Sequence, residues 1–217
     1  MAKTTKSAPN RETLLQAFKN YVIEHETLPG NFFKIAKELK TDESYFYKEF
    51  SSPKVADEAV WKACHDETCQ TLLESPEYEN YSGREKTLAY FYTWIEVLLN
   101  NRSYVLTSLN LRKSDPIQWS KTEWVSAQKD FFNSLIQDSI QKGEIQDRKY
   151  LSDKYKDGFA LTAYFIMNTW KNDSSNKFQL TDQAIEKSVN LLFDLTGKSP
   201  LDSMLDFGKF IFTQKPL

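Results

Sequence analysis

The sequence predicts an all-α protein: an amino-terminal three-helix bundle with a helix-turn-helix, followed by a larger helical domain, about nine or ten helices in all. Three observations carry that reading. Across 217 residues there are only six glycines and seven prolines, so few positions break a helix. Apolar residues recur at three- and four-residue spacing along the chain, the period of helices with one buried face. Residues 32–54 have the spacing of a short helix, a tight turn, a second short helix and the start of a longer one. A chain of this length can bury a substantial core, as one large domain or as a small domain fused to a larger one.

In order, residues 1–10 form a polar tail with Lys3 and Lys6, expected to be disordered. Such a basic tail can lie on phosphate, although a solvated end is the commoner case. Leu14, Leu15, Phe18, Tyr21 and Val22 give the first helix one apolar face, and Leu28-Pro29-Gly30 ends the connection after it. In the helix-turn-helix, Phe32, Phe33, Ile35, Ala36 and Leu39 mark the buried side of the first short helix, and Phe46 and Phe50 that of the second. Ser52-Pro53 supplies an N-cap and an N1 proline for a helix running to about Leu73, with Val55, Ala56, Ala59, Val60 and Ala63 along its face. The domains expected are therefore 1–10 (tail), 11–54 (helix-turn-helix) and 55–217 (larger helical domain).

Within the larger domain, Leu88, Phe91, Tyr92, Ile95, Leu98 and Leu99 predict a helix from about Gly83 to Asn101, with a short segment holding Tyr104, Val105, Leu106 and Leu109 after it. Asp115-Pro116 opens a long helix through Trp119, Trp124, Phe131, Phe132, Leu135, Ile136 and Ile140, stopped by Gly143. Tyr155, Phe159, Ala163, Ile166, Met167 and Trp170 mark the next. Ile185, Val189, Leu192 and Phe193 mark another, ended by Gly197. Ser199-Pro200-Leu201-Asp202 starts a last helix whose face, Leu201, Met204, Leu205, Gly208, Ile211 and Phe212, is expected to pack on its own domain. With Lys209 and Lys215 as its only cations, it has little electrostatic help toward a membrane.

Composition excludes several function classes. Lys and Arg number 28 against 30 Asp and Glu, a formal charge of -2, so any surface for nucleic acid must be local. Charges interrupt every long apolar window and the start MAKTTKSAPN lacks a signal-peptide core; the expectation is a cytoplasmic protein without stable membrane insertion. Cys64 and Cys69 lie roughly 140° apart on a helix, which disfavours a disulfide. No phosphate loop, dinucleotide motif or nucleophile elbow is present. His25 and His65 are the only histidines, and Cys64, His65 and Cys69 splay around a helix rather than converging on one ion. No Glu-x-x-His pair supports a di-iron bundle. Neither catalytic residues nor a metal nor a cofactor is expected. Phe, Trp and Tyr make up 14% of the chain, and Trp94, Tyr104, Trp124, Phe131, Tyr164, Phe165 and Met167 could surround an apolar cavity; a well-packed core is the commoner explanation of such stripes.

Ile35-Ala36 in the first short helix, a polar start to the second, and then Tyr47 and Phe50 resemble the helix-turn-helix of TetR-family (TetR/AcrR-like) transcriptional regulators. The resemblance implies a homodimer that binds operator DNA and a small, often hydrophobic, ligand held in the larger ligand-binding and dimerisation domain. It implies a dimer surface from the helices around Tyr155 to Trp170 and Thr181 to Leu195, and a fourth helix that carries the signal. It also implies a buried half of the motif, Ile35, Ala36, Tyr47 and Phe50. Ser44, Tyr45, Tyr47 and Lys48 would then read DNA, with Lys34 and Lys54 on phosphates.

The sequence departs from the family pattern at three places. Lys40 stands where relatives carry a turn glycine, so the turn requires a left-handed lysine or another path, at about 1 kcal/mol. Asp42 and Glu43 begin the reading helix, and Pro53 stands at the usual phosphate-contacting lysine. Over residues 11–60, seven basic residues face nine acidic ones, a net of -2. Two readings follow: a ligand-responsive regulator on operator DNA, or a TetR-like protein that has lost DNA binding and holds a lipid-like ligand, similar to the accessory lipid-binding protein of ubiquinone biosynthesis.

Overall fold

The structure, a computed structural model, describes residues 8–112, 119–149 and 151–198. Among them are nine α-helices and no strand. They are α1 (Arg11–His25), α2 (Phe33–Glu38), α3 (Ser44–Glu49), α4 (Pro53–Leu73), α5 (Gly83–Asn100), α6 (Arg102–Leu111), α7 (Glu123–Gln141), α8 (Tyr155–Asn172) and α9 (Gln179–Thr196). The chain divides into two compact units. Of the described residues, the first holds 8–68, 96–112 and 119–126, and the second holds 69–95, 127–149 and 151–198.

In the first unit, Asn10 caps α1 by accepting the Thr13 N–H at 2.9 Å. All five residues expected on the inner face of α1 are buried. Phe18 meets Phe32 edge-on at 6.5 Å, and Phe32 stacks on Phe46 at 4.8 Å, so one ring locks α1, α2 and α3 together. Each fully buried phenylalanine contributes about 1.5–3 kcal/mol. Phe33, expected inside, is 59% exposed. Successive helical residues point about 100° apart, so Phe32 and Phe33 cannot share one core direction. Leu39 is half-buried.

The turn after α2 adopts the path expected of a left-handed lysine, with Lys40 at φ 54°. Thr41 N–H reaches back to the Ala36 carbonyl at 2.9 Å and Lys40 N–H to that of Lys37 at 3.1 Å, a Schellman motif. Ser52 caps α4, its Oγ accepting the Val55 N–H at 3.3 Å ahead of Pro53. The buried face of α4 is Ala56, Asp57, Val60, Trp61 and Cys64, which leaves Val55 39% exposed and Ala59 and Ala63 half-buried. Trp61, unread in the sequence, is fully buried and stacks on Trp124 at 5.0 Å.

In the second unit, Ser82 and Glu85 form a capping box at the start of α5. Gly83 is required there: a Cβ would lie 2.0 Å from Ser139 Oγ, and its N–H donates to Glu144 at 2.7 Å. Within this unit the inner stripe of α5 runs Thr87, Tyr90, Phe91 and Trp94 along the helix. Tyr92 and Leu99, expected inside, lie one step off that stripe and are exposed. The expected start at Asp115-Pro116 lies outside the described residues; of the long helix expected there, α7 holds Trp124 through Ile140, and Thr122 N–H bonds the Trp119 carbonyl just before it. Gly143, at φ 76°, closes α7 with a second Schellman motif. α8 and α9 pack together, with every expected inner residue buried. Asp173 caps α9, accepting from the N–H and hydroxyl of both Ser175 and Thr181. The Arg148 guanidinium bonds the Leu195 and Gly197 carbonyls at the helix end, at 2.9 and 2.8 Å. The expected basic tail residues Lys3 and Lys6 and the last helix from Ser199 fall outside the described residues.

Candidate functional site

Ser44, Tyr45, Tyr47 and Lys48 share α3, where Ser44, Tyr47 and Lys48 are exposed and Tyr45 is half-buried. Lys48 Nζ lies 5.1 Å from the centre of the Tyr45 ring, a spacing set by their i, i+3 positions. Lys34 on α2 and Lys54 in the first turn of α4 are also exposed. Tyr47, expected in the buried half of the motif, touches Phe32 edge-on at 5.1 Å and remains 45% exposed. Phe46, its neighbour, takes the core position, and Ile35, Ala36 and Phe50 are buried as expected.

Asp42 and Glu49 in the motif, and Asp57 and Glu58 at the start of α4, have partners. Asp42 accepts the Ser44 N–H at 2.8 Å at the entry to α3; bonds from Ser44, with Lys48 nearby, hold its carboxyl below the ordinary value. Glu49 faces Arg11 at 3.7 Å, and Arg11 lies over the Phe50 ring. Asp57 is buried in a closed cluster, accepting from the Tyr104 hydroxyl, from Ser108 Oγ at 2.9 Å and from the Arg112 guanidinium. Arg112 also bonds Glu58 at 2.9 Å and lies over the Trp61 ring, whose Nε1 donates to Ser108 at 3.0 Å. Burial and the Asp57 carboxylate push the Tyr104 hydroxyl well above its ordinary value, so it stays a donor. Asp57 and Glu58 are both paired with Arg112, which lies outside the 11–60 window. Counting its single positive charge takes the window from -2 to -1.

The seven aromatic and apolar residues considered for a pocket do not gather in one unit. Tyr104 and Trp124 lie in the first, bonded to Asp57 and stacked on Trp61 respectively. Trp94, Phe131, Tyr164, Phe165 and Met167 lie in the second. There Trp94 and Met167 are buried, Phe131 and Tyr164 half-buried, and Phe165 is 53% exposed. Trp94 and Phe131 both stack on Tyr90, at 6.4 and 4.7 Å, and Phe132 meets the same ring edge-on at 4.8 Å.

A polar group stands in this aromatic cluster. Gln128 is fully buried on α7, one turn before Phe131 and Phe132, and its Nε2 donates to the Tyr90 hydroxyl at 2.9 Å. Its carbonyl oxygen is buried without a hydrogen-bond partner. Leaving such an acceptor unsatisfied costs about 1–3 kcal/mol. Phe131 also lines a surface hollow of about 310 Å³ with Tyr78, Leu135 and the charged Glu79, Lys86, Asp138 and Lys142. Sequence reasoning had no place for Gln128 or Tyr90, although a glutamine on an apolar stripe was a visible signal.

Among the described residues, no group of three or more His, Cys, Asp or Glu side chains could hold a metal ion, and no helix is long and apolar enough to cross a membrane.

Two short helices joined by a tight turn precede a helical unit with an aromatic interior. Residues 86–211 match the family described as tetracyclin repressor-like, C-terminal domain, more than half of the chain. The protein belongs to the tetracyclin repressor-like (TetR) family, whose members are typically non-enzymatic regulators. A search of curated proteins finds no match.

Proposed function

We propose that this protein is a ligand-responsive transcriptional regulator that binds operator DNA as a homodimer. The observation that carries the reading is the fate of the acids in the helix-turn-helix. Asp42 accepts the Ser44 N–H at the entry to α3, Arg112 offsets one of the two charges of Asp57 and Glu58 at the start of α4, and Lys34, Lys48 and Lys54 are left exposed. Ser44, Tyr45, Tyr47 and Lys48 read base edges or phosphates, and Lys34 and Lys54 bind phosphates. The Asp57–Arg112 pair braces α4 against α6, so a shift of α4, the signal carrier, is felt at the motif it follows.

Leu161 and Phe165 on α8 and Leu180, Leu191 and Leu195 on α9 are all more than half exposed, an apolar face suited to a second copy of the chain. The ligand is a small hydrophobic molecule held in the second unit.

The test is a salt-dependent affinity measurement of the purified protein with upstream DNA from its own operon. The expected result is specific binding that Tyr47→Ala abolishes. Lys48→Ala should weaken binding to all sequences and lower the slope of log affinity against log salt by about 1. No binding at low salt, with lipid co-purifying, would overturn the reading.

A further inference from the structure

A buried glutamine in an aromatic cluster needs a reason, because an amide can make up to about four hydrogen bonds and an apolar side chain needs none. Gln128 makes one, to Tyr90, and with the amide so turned its carbonyl oxygen is an acceptor without a donor. Around the pair stand Phe91, Trp94, Phe131 and Phe132, each within 6.4 Å of the Tyr90 ring centre. None of these six side chains carries a charge, and burial keeps the Tyr90 hydroxyl protonated. Phe131 is the half-buried member, touching Tyr90 and also lining the hollow of about 310 Å³.

We propose that Gln128 and Tyr90 are the polar anchor of the ligand site in the second unit, taking a flat, neutral aromatic molecule that donates one hydrogen bond to the Gln128 carbonyl, while Phe131 turns aside into the hollow. This rests on reading the second unit as the ligand-binding half of a regulator. Flatness follows from the rings, which favour offset or edge-on aromatic partners. Neutrality follows from the lack of a counter-ion in the cluster, since a buried unpaired charge is far costlier than a buried hydroxyl or N–H. The donor follows from the vacant acceptor, which a ligand O–H or N–H would satisfy. A purely structural Gln128 would tie α5 to α7 and confer no such preference.

The experiment is calorimetric titration of the full-length protein with indole, with indene as the same shape lacking the N–H, and with benzoate as the charged comparison. Indole is expected to bind saturably, with Kd at or below about 1 mM. Indene should bind at least about tenfold more weakly, as one buried hydrogen bond implies, and benzoate more weakly than indole. Gln128→Met, checked for helicity, should bring indole down to the affinity of indene. Saturable indole binding with an indole-to-indene ratio below tenfold, no indole binding, or unchanged binding by a folded Gln128→Met would each overturn the site. The indole–indene ratio on the unsubstituted protein gives the answer if Gln128→Met does not fold. Operator binding measured alongside separates the two conclusions: DNA bound without indole discrimination removes this site and leaves the regulator, and indole discrimination without DNA binding does the reverse.

Discussion

Each unit buries a polar cluster among large aromatic side chains, and the two clusters are finished differently. In the first, the Asp57 carboxylate receives Tyr104, Ser108 and Arg112, and the cluster closes on itself against Trp61. In the second, Gln128 gives one hydrogen bond to Tyr90 and keeps a bare carbonyl. Glu58, on the same arginine, also keeps one buried oxygen without a partner, so the difference lies at Asp57, whose charge is met by three donors, because an unpaired ion in a low-dielectric interior costs several-fold more than an unpaired amide. The contrast teaches that a charge is buried only where donors converge on it, whereas a neutral amide can be buried with an acceptor left over.

The sharpest way to break that comparison is Arg112→Ala, which strands Asp57 and Glu58. Denaturant unfolding should show a loss of about 3–5 kcal/mol, and a loss below about 1 kcal/mol would mean that Asp57 is not held as described. Tyr104→Phe removes one donor and leaves two; the expected loss is about 1–2 kcal/mol by the same measurement. Gln128→Leu should stay within about 1 kcal/mol of the parent in either direction, since the substitution removes the unsatisfied acceptor together with the bond to Tyr90. If it cost as much as Arg112→Ala, the second cluster would be a brace too.

The turns extend the comparison to the backbone. The same Schellman closure is made by Gly143 in the second unit and by Lys40 in the first, at φ 76° and 54°. Lys40→Gly should therefore raise stability by about 0.5–1 kcal/mol, read as a shift in thermal midpoint, and should remove a cation beside the reading helix.

Acid should separate the units as well. Burial holds His65 below its ordinary 6.5, so the folded protein binds fewer protons than the unfolded chain; its contribution is full above pH 6.5 and declines as pH falls below that. Burial raises the Asp173 carboxyl, but four bonds from Ser175 and Thr181 outweigh it and hold the group at about 2, so its contribution is full above 3.8 and is lost as pH falls toward 2. Hydrogen-exchange protection should decline first in the first unit as pH drops from 7 to 5. Simultaneous decline would contradict it.

Apolar periodicity made α1, α8 and α9 legible to the residue, because their inner faces are built of aliphatic and aromatic side chains at helical spacing. Of the two paths that the missing turn glycine left open at Lys40, the left-handed one is adopted. The sequence hid the buried polar groups. Asp57 finds Arg112 at a separation of 55 residues and Gln128 finds Tyr90 at 38, distances that no local pattern encodes. Asp57 and Glu58 were thus counted with the charges near the helix-turn-helix, when both are held by Arg112. Tyr104 and Trp124 were grouped with a possible pocket by aromatic spacing and family resemblance; in the structure one bonds Asp57 and the other stacks on Trp61.

The separation of 55 residues between Asp57 and Arg112 also sets a schedule. A ribosome adding about 5–20 residues per second brings out the arginine roughly 3–11 s after the aspartate. Throughout that interval α1, α2 and α3 can already close around Phe32, while the start of α4 has a carboxylate with no cation to meet. The nascent helix-turn-helix is thus formed before it is anchored, and an enforced pause in translation between those codons would lengthen its exposure to proteases and chaperones without altering a single residue of the finished protein.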